Sequence, residues 1–269
     1  MKNGLLVCSG TGKSKNIGDY IQSLAQKLFL DSVDCYVERE KMDEFESTEK
    51  VNVIMNGWFM RHPDKFPPSE AINPLFVSFH VVPRNAARML TPKVVEYLKK
   101  YQPIGARDTG TCELLRERGI ESYFSGCLTL TLGLKYHSEK KDDKVYFVDP
   151  YYELGNGEKH TLPVRLLSAM CQYFRYRKKV ARFLGSFVFE FSSPLSRLSK
   201  KWDKKLMIAS FYHTYSSIFA DDVLFNAEYV THKVKQSIFK DNDDKLKYAE
   251  DLLRKYARAK FVVTSRIHC

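Results

Sequence analysis

Through its first 150 residues the chain alternates short apolar runs with segments of helical period, and this rhythm narrows the possible folds more than any other property. "GLLVCSG" reads as a strand that ends in small residues. "IGDYIQSLAQKLFL" puts Ile17, Ile21, Leu24 and Leu28 on one helical face. "VDCYVE", "VNVIMNG" and "PLFVSFH" have the length and the β-branched or aromatic content of strands. "TPKVVEYLKKY" opens a helix with Thr91 as N-cap and Pro92 at the first helical position. "PIGARD" is a strand with Arg107 and Asp108 at its tip, "TCELLRERGI" a helix stopped by Gly119, and "KVYFVDP" a strand tipped by Asp149. Strands that alternate with helices build a parallel sheet covered on both faces. Ligands of such sheets bind beyond the carboxyl ends of the strands. The polar residues at those ends are therefore the first candidates: Asn56, His80, Arg107, Asp108 and Asp149.

The rhythm breaks between residues 160 and 205, where the chain is aromatic, basic and helix-like, and it returns near Leu206. There "KLMIASFYH" reads as a strand and "AEYVTHKV" as a second one. "DKLKYAEDLLRKYARA" is an amphipathic helix with Ala249, Leu252, Leu253 and Tyr256 on one stripe. "KFVVTS" reads as a buried strand that delivers Arg266, Ile267 and His268 at its carboxyl end. The expected organisation is an N-terminal α/β domain at 1–159, a basic aromatic helical connection at 160–205, and the start of a second α/β domain at 206–269. A strand like the last one should feed a further helix, so the second domain is expected to be incomplete.

Composition removes several classes of function. No run of about 18 apolar residues is present to span a bilayer, and the four-residue apolar run near the N-terminus is too short for a signal peptide. The six cysteines form no Cys-x-x-Cys pair and have no histidine at zinc spacing, so a reduced, cytoplasmic protein without a metal site is expected. The formal charge is +11, much of it between Arg175 and Lys205. No nucleic-acid recognition motif accompanies it, which argues against that partner. Four readings of the basic segment stay open: a solvated face, a helix packed against the rest of the protein, a contact with anionic sugar phosphates, or an amphipathic helix lying on the inner face of the membrane.

"VCSGTGKSKNIGDYIQSL" holds an apparent phosphate loop. That loop needs glycine five residues before the Gly-Lys-Ser, where it wraps the phosphates. Val7 stands there, inside the strand, and the helix starts after Gly18 rather than at Lys13. No Gly-x-Gly-x-x-Gly follows the strand, so the dinucleotide fingerprint is absent too. What remains is Asn16-Ile17-Gly18-Asp19 opening a helix. Asp19 suits the positive end of the helix dipole, and Gly18 permits a close backbone approach or a positive φ.

Four blocks occur in order: "NIGDYIQSLAQKLFL", "MNGWF", "IGARDTGTCELLRERGIESYFSGCLTLTL" and "YARAKFVVTSRIHC". Together they resemble the polysaccharide pyruvyl transferase family over most of the chain, apart from residues 160–205. The resemblance implies an α/β fold of the GT-B type, in which two Rossmann-like domains face a cleft. It implies transfer of the pyruvyl unit of phosphoenolpyruvate to a sugar of an exopolysaccharide, capsule or cell-wall polymer, with a ketal formed and phosphate released. Family members continue past the Arg-x-His motif, so weak or no activity is expected of a chain ending at Cys269.

The chemistry assigns roles. Phosphoenolpyruvate carries a phosphate and a carboxylate, groups that the planar guanidinium fork of arginine holds bidentately. Its methylene carbon must be protonated before a sugar hydroxyl attacks, and histidine titrates in the range for such an acid. By resemblance, Arg266 holds the donor and His268 is the acid or its close partner. Arg107 is a second donor-binding candidate, or else an ion-pair partner of Asp108. His80 and His232 either line the cleft or are structural histidines. Asn16, Gly18 and Asp19 are candidates for the acceptor side, with helix capping as the alternative for Asp19. Trp58 either stacks on a sugar or packs. Two rival functions remain: a nucleotide-sugar glycosyltransferase, and a non-catalytic member of a polysaccharide assembly complex.

Overall fold

The computed structural model describes residues 1–9, 14–155, 157, 160–189 and 199–268. Residues 10–13, where the apparent phosphate loop falls, lie outside the described residues, as do 190–198 and the final Cys269. The strands are β1 (Lys2–Val7), β2 (Ser14–Asn16), β3 (Cys35–Glu38), β4 (Val51–Ile54), β5 (Gly57–Trp58), β6 (Ile72–Leu75), β7 (Phe79–His80), β8 (Ile104–Ala106), β9 (Ser122–Phe124), β10 (Val145–Val148), β11 (Glu228–Val230), β12 (Lys233–Lys235) and β13 (Phe261–Thr264). The α-helices are α1 (Gly18–Lys27), α2 (Ala86–Met89), α3 (Pro92–Lys100), α4 (Thr109–Arg116), α5 (Leu162–Phe183), α6 (Lys200–Tyr215), α7 (Asp221–Asn226) and α8 (Asn242–Arg258).

The chain divides into two compact units interleaved in sequence: residues 1–137 with 233–254 and 268, and residues 138–232 with 255–267 and 269. In the first unit two parallel four-stranded sheets have the orders β3-β1-β4-β6 and β5-β7-β8-β9. Only Met55 and Asn56 separate β4 from β5, and three residues separate β6 from β7. The strands thus follow the doubly wound order 2-1-3-4-5-6, whose switch point falls between β1 and β4. Val37, Val51, Val53, Met55, Phe76, Phe79 and Leu98 sit in its core. Of the apolar face read for α1, Ile17, Ile21 and Leu24 are buried and Leu28 is half-buried, but the helix, which starts at Gly18, buries Tyr20, Gln22, Ser23 and Gln26 as well. The stop after α4 is a Schellman turn: Gly119 at φ +69° donates to the Arg116 carbonyl and Ile120 to that of Leu115.

The second unit holds a parallel sheet in the order β11-β10-β13. Its core is aromatic. The Phe147 ring stacks on Tyr229 at 5.5 Å and meets Phe211, Tyr215 and Phe219 edge-on. Two expectations fail here. "KLMIASFYH" is not a strand but the middle of α6, whose first turn is capped by Ser199 Oγ accepting from the Trp202 amide. Leu206, Ile208, Ala209, Phe211, Tyr212 and Tyr215 are all buried, so the helix is apolar around most of its circumference, and a short apolar run of this kind carries no period that separates strand from helix. "KFVVTS" does form β13, but the strand lies at the edge of the described sheet and is only half-buried. "AEYVTHKV" contains two strands, β11 and β12, which belong to different units. Of the basic segment, Leu162–Phe183 form α5, which packs on α6 through Ala169, Gln172, Val180 and Phe183, and its described residues fall inside the second unit.

Candidate functional site

In the second unit the carboxyl ends of the three parallel strands converge on Asp149. This residue follows β10 with φ +40°, a left-handed conformation that a short polar side chain tolerates better than most. Its carboxylate Oδ2 accepts from the backbone N–H of His232, beyond β11, at 2.9 Å and from Nε of Arg266, beyond β13, at 2.8 Å. Its carbonyl accepts from Ser265 Oγ at 2.6 Å. Arg266 is 37 % exposed, and its two Nη groups make no hydrogen bond among the described residues. Asp149 therefore fixes the stem of the guanidinium and leaves its fork for an anion. The His232 ring is buried, with Nε2 3.0 Å from the Tyr256 hydroxyl. Burial lowers its pKa to about 4, with Asp149 opposing and Arg266 assisting, so it is neutral at neutral pH.

In the first unit the switch point between β1 and β4 is built from amides. Gln26 Oε1 accepts from the Leu6 N–H at 3.0 Å, and its amide nitrogen donates to Asn56 Oδ1. Asn56 Nδ2 donates to the Gln22 carbonyl at 3.2 Å. Gln22 Nε2 lies 3.1 Å from Nε2 of His268. An amide nitrogen only donates, so this ring nitrogen accepts and Nδ1 carries the proton of the neutral imidazole. Asn56 was legible as a strand-tip residue; the two glutamines on α1 were not.

Beyond β3, the buried Arg39 meets Asp19 at 3.2 Å, Glu40 at 3.1 Å and Cys8 Sγ at 3.0 Å. Burial works against its charge, but Asp19, Cys8 and Glu40 more than offset it and hold the guanidinium above its usual range. Asp19 is thus engaged by Arg39 at the start of α1. Asn16 Oδ1 accepts from the Gly18 N–H at 3.2 Å, and a Cβ on Gly18 would stand 3.2 Å from that same oxygen. Of the two reasons given for this glycine, close approach is the one that applies. Next to Arg39, Ser9, Glu38, Glu40, Lys41, Arg61, His62 and Lys65 line a cleft of about 510 Å³. Glu38 Oε2 accepts from the Ser9 N–H at 2.7 Å, while its buried Oε1 has no hydrogen-bond partner among the described residues. Glu38 is a candidate that only the structure brings out; the charged "ERE" at the end of β3 was the available signal.

The tips of β7 and β8, also in the first unit, bring His80, Arg107 and Asp108 together. Asp108 caps α4, accepting from the Thr111 amide at 2.8 Å, and its Oδ2 lies 2.6 Å from His80 Nδ1. Burial works to raise the carboxyl's pKa, but the Thr111 amide and the His80 ring outweigh it and the group stays an anion. Burial and the nearby Arg107 lower the pKa of His80 against the pull of Asp108. His80 is then neutral near pH 7, with Nδ1–H donated to Asp108 and Nε2 left as a base. Asp108 does not pair with Arg107, which makes no ion pair among the described residues. Trp58, in β5, packs partly buried against the core. Among the described residues no group of His, Cys, Asp and Glu is disposed to hold a metal, and no helix is long and apolar enough to cross a membrane.

Doubly wound parallel strands, with arginine, histidine and carboxylate side chains at their carboxyl tips, define an α/β protein of the class that binds its ligands beyond the strand ends. Residues 16–269 match the family model for polysaccharide pyruvyl transferase, and the chain belongs to that family. Neither the curated proteins nor the solved structures give a match.

Proposed function

We propose that the protein transfers the pyruvyl group of phosphoenolpyruvate to two hydroxyls of a surface-polysaccharide sugar, forming a ketal and releasing phosphate. Family membership supports transfer of this kind to a polysaccharide. The observation that carries the donor assignment is Arg266, held by Asp149 with its fork unengaged. In this reading Arg266 takes the carboxylate or phosphate of the donor, and Arg107 is a second cation for the same dianionic class. His268, once it has taken up a second proton with the Gln22 amide turned to present its oxygen, gives a proton as the imidazolium to the methylene carbon, which leaves a cationic carbon stabilised by the enol oxygen. One sugar hydroxyl adds to that carbon and loses its proton, phosphate departs, and a second hydroxyl closes the ketal. His80, neutral and oriented by Asp108, is suited to accept a hydroxyl proton. The unpartnered Glu38 Oε1 in its cleft supports recognition of sugar hydroxyls on the acceptor side, near Asn16, Gly18 and Asp19. Parallel sheets with polar tips in both units support a GT-B-like architecture.

The test is incubation of the protein with phosphoenolpyruvate and candidate glycans, following phosphate release together with the mass of the glycan. Matched release and ketal mass gain are expected, and both should fall when Arg266 or His268 becomes alanine. Turnover of a UDP- or GDP-sugar instead would support the glycosyltransferase. Full activity in Arg266→Ala would remove the donor assignment.

A further inference from the structure

Helix α5 has two unlike faces. Ala169, Gln172, Val180 and Phe183 are buried against the unit's own core. On the other side Val164, Leu167, Met170 and Phe174 are all exposed, Leu167 at 64 % and Phe174 at 60 %. The spacing of 164, 167, 170 and 174 places them on one stripe, about 15 Å long at the rise of an α-helix. An outward helix face is ordinarily charged, and this one is apolar for three turns.

Cations follow the stripe toward the C-terminal end of the helix. Between Leu162 and Phe183 the helix carries Arg165, Arg175, Arg177, Lys178, Lys179 and Arg182 and no acidic residue. Arg177 and Lys178, just past a kink at Tyr176, have no carboxylate partner among the described residues. An aromatic group extends the patch onto α6. Trp202, 46 % exposed, meets the Tyr173 ring edge-on at 5.4 Å, and Tyr173 meets Phe174 at 5.5 Å. Lys205 Nζ lies over both Tyr173 and Trp202, at 5.5 and 5.0 Å.

We infer that the outward face of α5 is a docking surface for an anionic lipid bilayer. The helix lies in the interface plane. Leu167, Met170 and Phe174 enter the acyl boundary, Tyr173 and Trp202 sit at headgroup level, and Arg177, Lys178 and Lys205 meet lipid phosphates. Charge decides this occupant over a second copy of the chain, because a two-fold contact through the same face would set these cations against themselves. The helix is not built to cross the membrane, so the association is peripheral. The inference does not depend on the proposed reaction.

Co-sedimentation of the full chain with phosphatidylcholine vesicles, with and without phosphatidylglycerol, tests it. Binding to the anionic vesicles is expected at least about tenfold tighter than to neutral ones, weakening as salt rises. Leu167→Glu with Phe174→Glu should lose about tenfold or more, and Arg177→Glu with Lys178→Glu should abolish the preference for anionic lipid. Trp202 fluorescence should shift to the blue on phosphatidylglycerol vesicles, and Trp202→Phe should remove the shift. That readout uses the native surface and stands if the glutamate variants fail to fold. Equal binding to neutral vesicles, no binding to either, or unchanged binding by Leu167→Glu/Phe174→Glu would overturn the inference. So would sedimentation velocity showing a dimer that this double variant dissociates while the wild-type chain ignores vesicles.

Discussion

Arg39 and Arg266 both stand just beyond the tips of parallel strands, one in each unit, and their surroundings are opposite. Arg39 is 7 % exposed and spends its fork on Asp19, Glu40 and Cys8. Arg266 is 37 % exposed and gives only Nε to Asp149. The residue type and the position in the fold are the same. What separates a cation that holds the protein together from one that can take a ligand is how much of the fork remains unspent.

The largest effect should come from breaking the spent one. Arg39→Met leaves Asp19 and Glu40 without their buried counter-charge and should cost about 3–5 kcal/mol in urea unfolding; a loss below about 1 kcal/mol would erase the contrast. Next comes the histidine beside Arg266. Because burial lowers the pKa of His232 from 6.5 to about 4, the unfolded chain binds its proton first as pH falls. The neutral ring's stabilising effect is complete above pH 6.5 and is lost between there and pH 4, amounting to roughly 3 kcal/mol. His232→Gln should flatten that part of the stability–pH curve, and an unchanged slope would place the titration elsewhere. Arg266→Lys keeps the charge but loses the fork. It should lower donor-dependent phosphate release about 100-fold, roughly 2.7 kcal/mol, while leaving the urea midpoint nearly unchanged; the reverse pattern would make Arg266 a second Arg39. The smallest effect tests the other strand-tip cluster. Asp108→Ala removes the α4 cap at a cost of about 1 kcal/mol, and it moves the His80 titration, followed by NMR, further down because the carboxylate no longer holds the ring's proton.

The alternating strands and helices of the first unit were readable because each local pattern agrees with its neighbours. Gly18, Thr91 with Pro92, and Gly119 mark helix ends where the chain does start or stop a helix. α6 was misread because burial on most sides removed its period. The strand-tip residues could be named one by one, since a polar residue after an apolar run is a local signal. Their partnerships could not. Asp149 and Arg266 are 117 residues apart, and Gln22 and His268 are 246 apart; such pairs exist only once strand order is fixed, and order is a property of the sheet. The destination of β12 was hidden for the same reason, because it pairs with β2 across more than two hundred residues.

That pairing has a consequence for synthesis. The first unit takes its last strand and much of α8 from residues 233–254, after nearly the whole of the second unit has been made. Until then Ser9 and Tyr20 have no Asn242 to bond, and the edge of β2 has no partner. A nascent chain emerging from the ribosome therefore leaves these contacts unmade while the other unit is translated, although the core of the first unit is drawn from Leu6 to Ile120. A fragment cut at residue 159 would keep that core and lack the β2 partner strand.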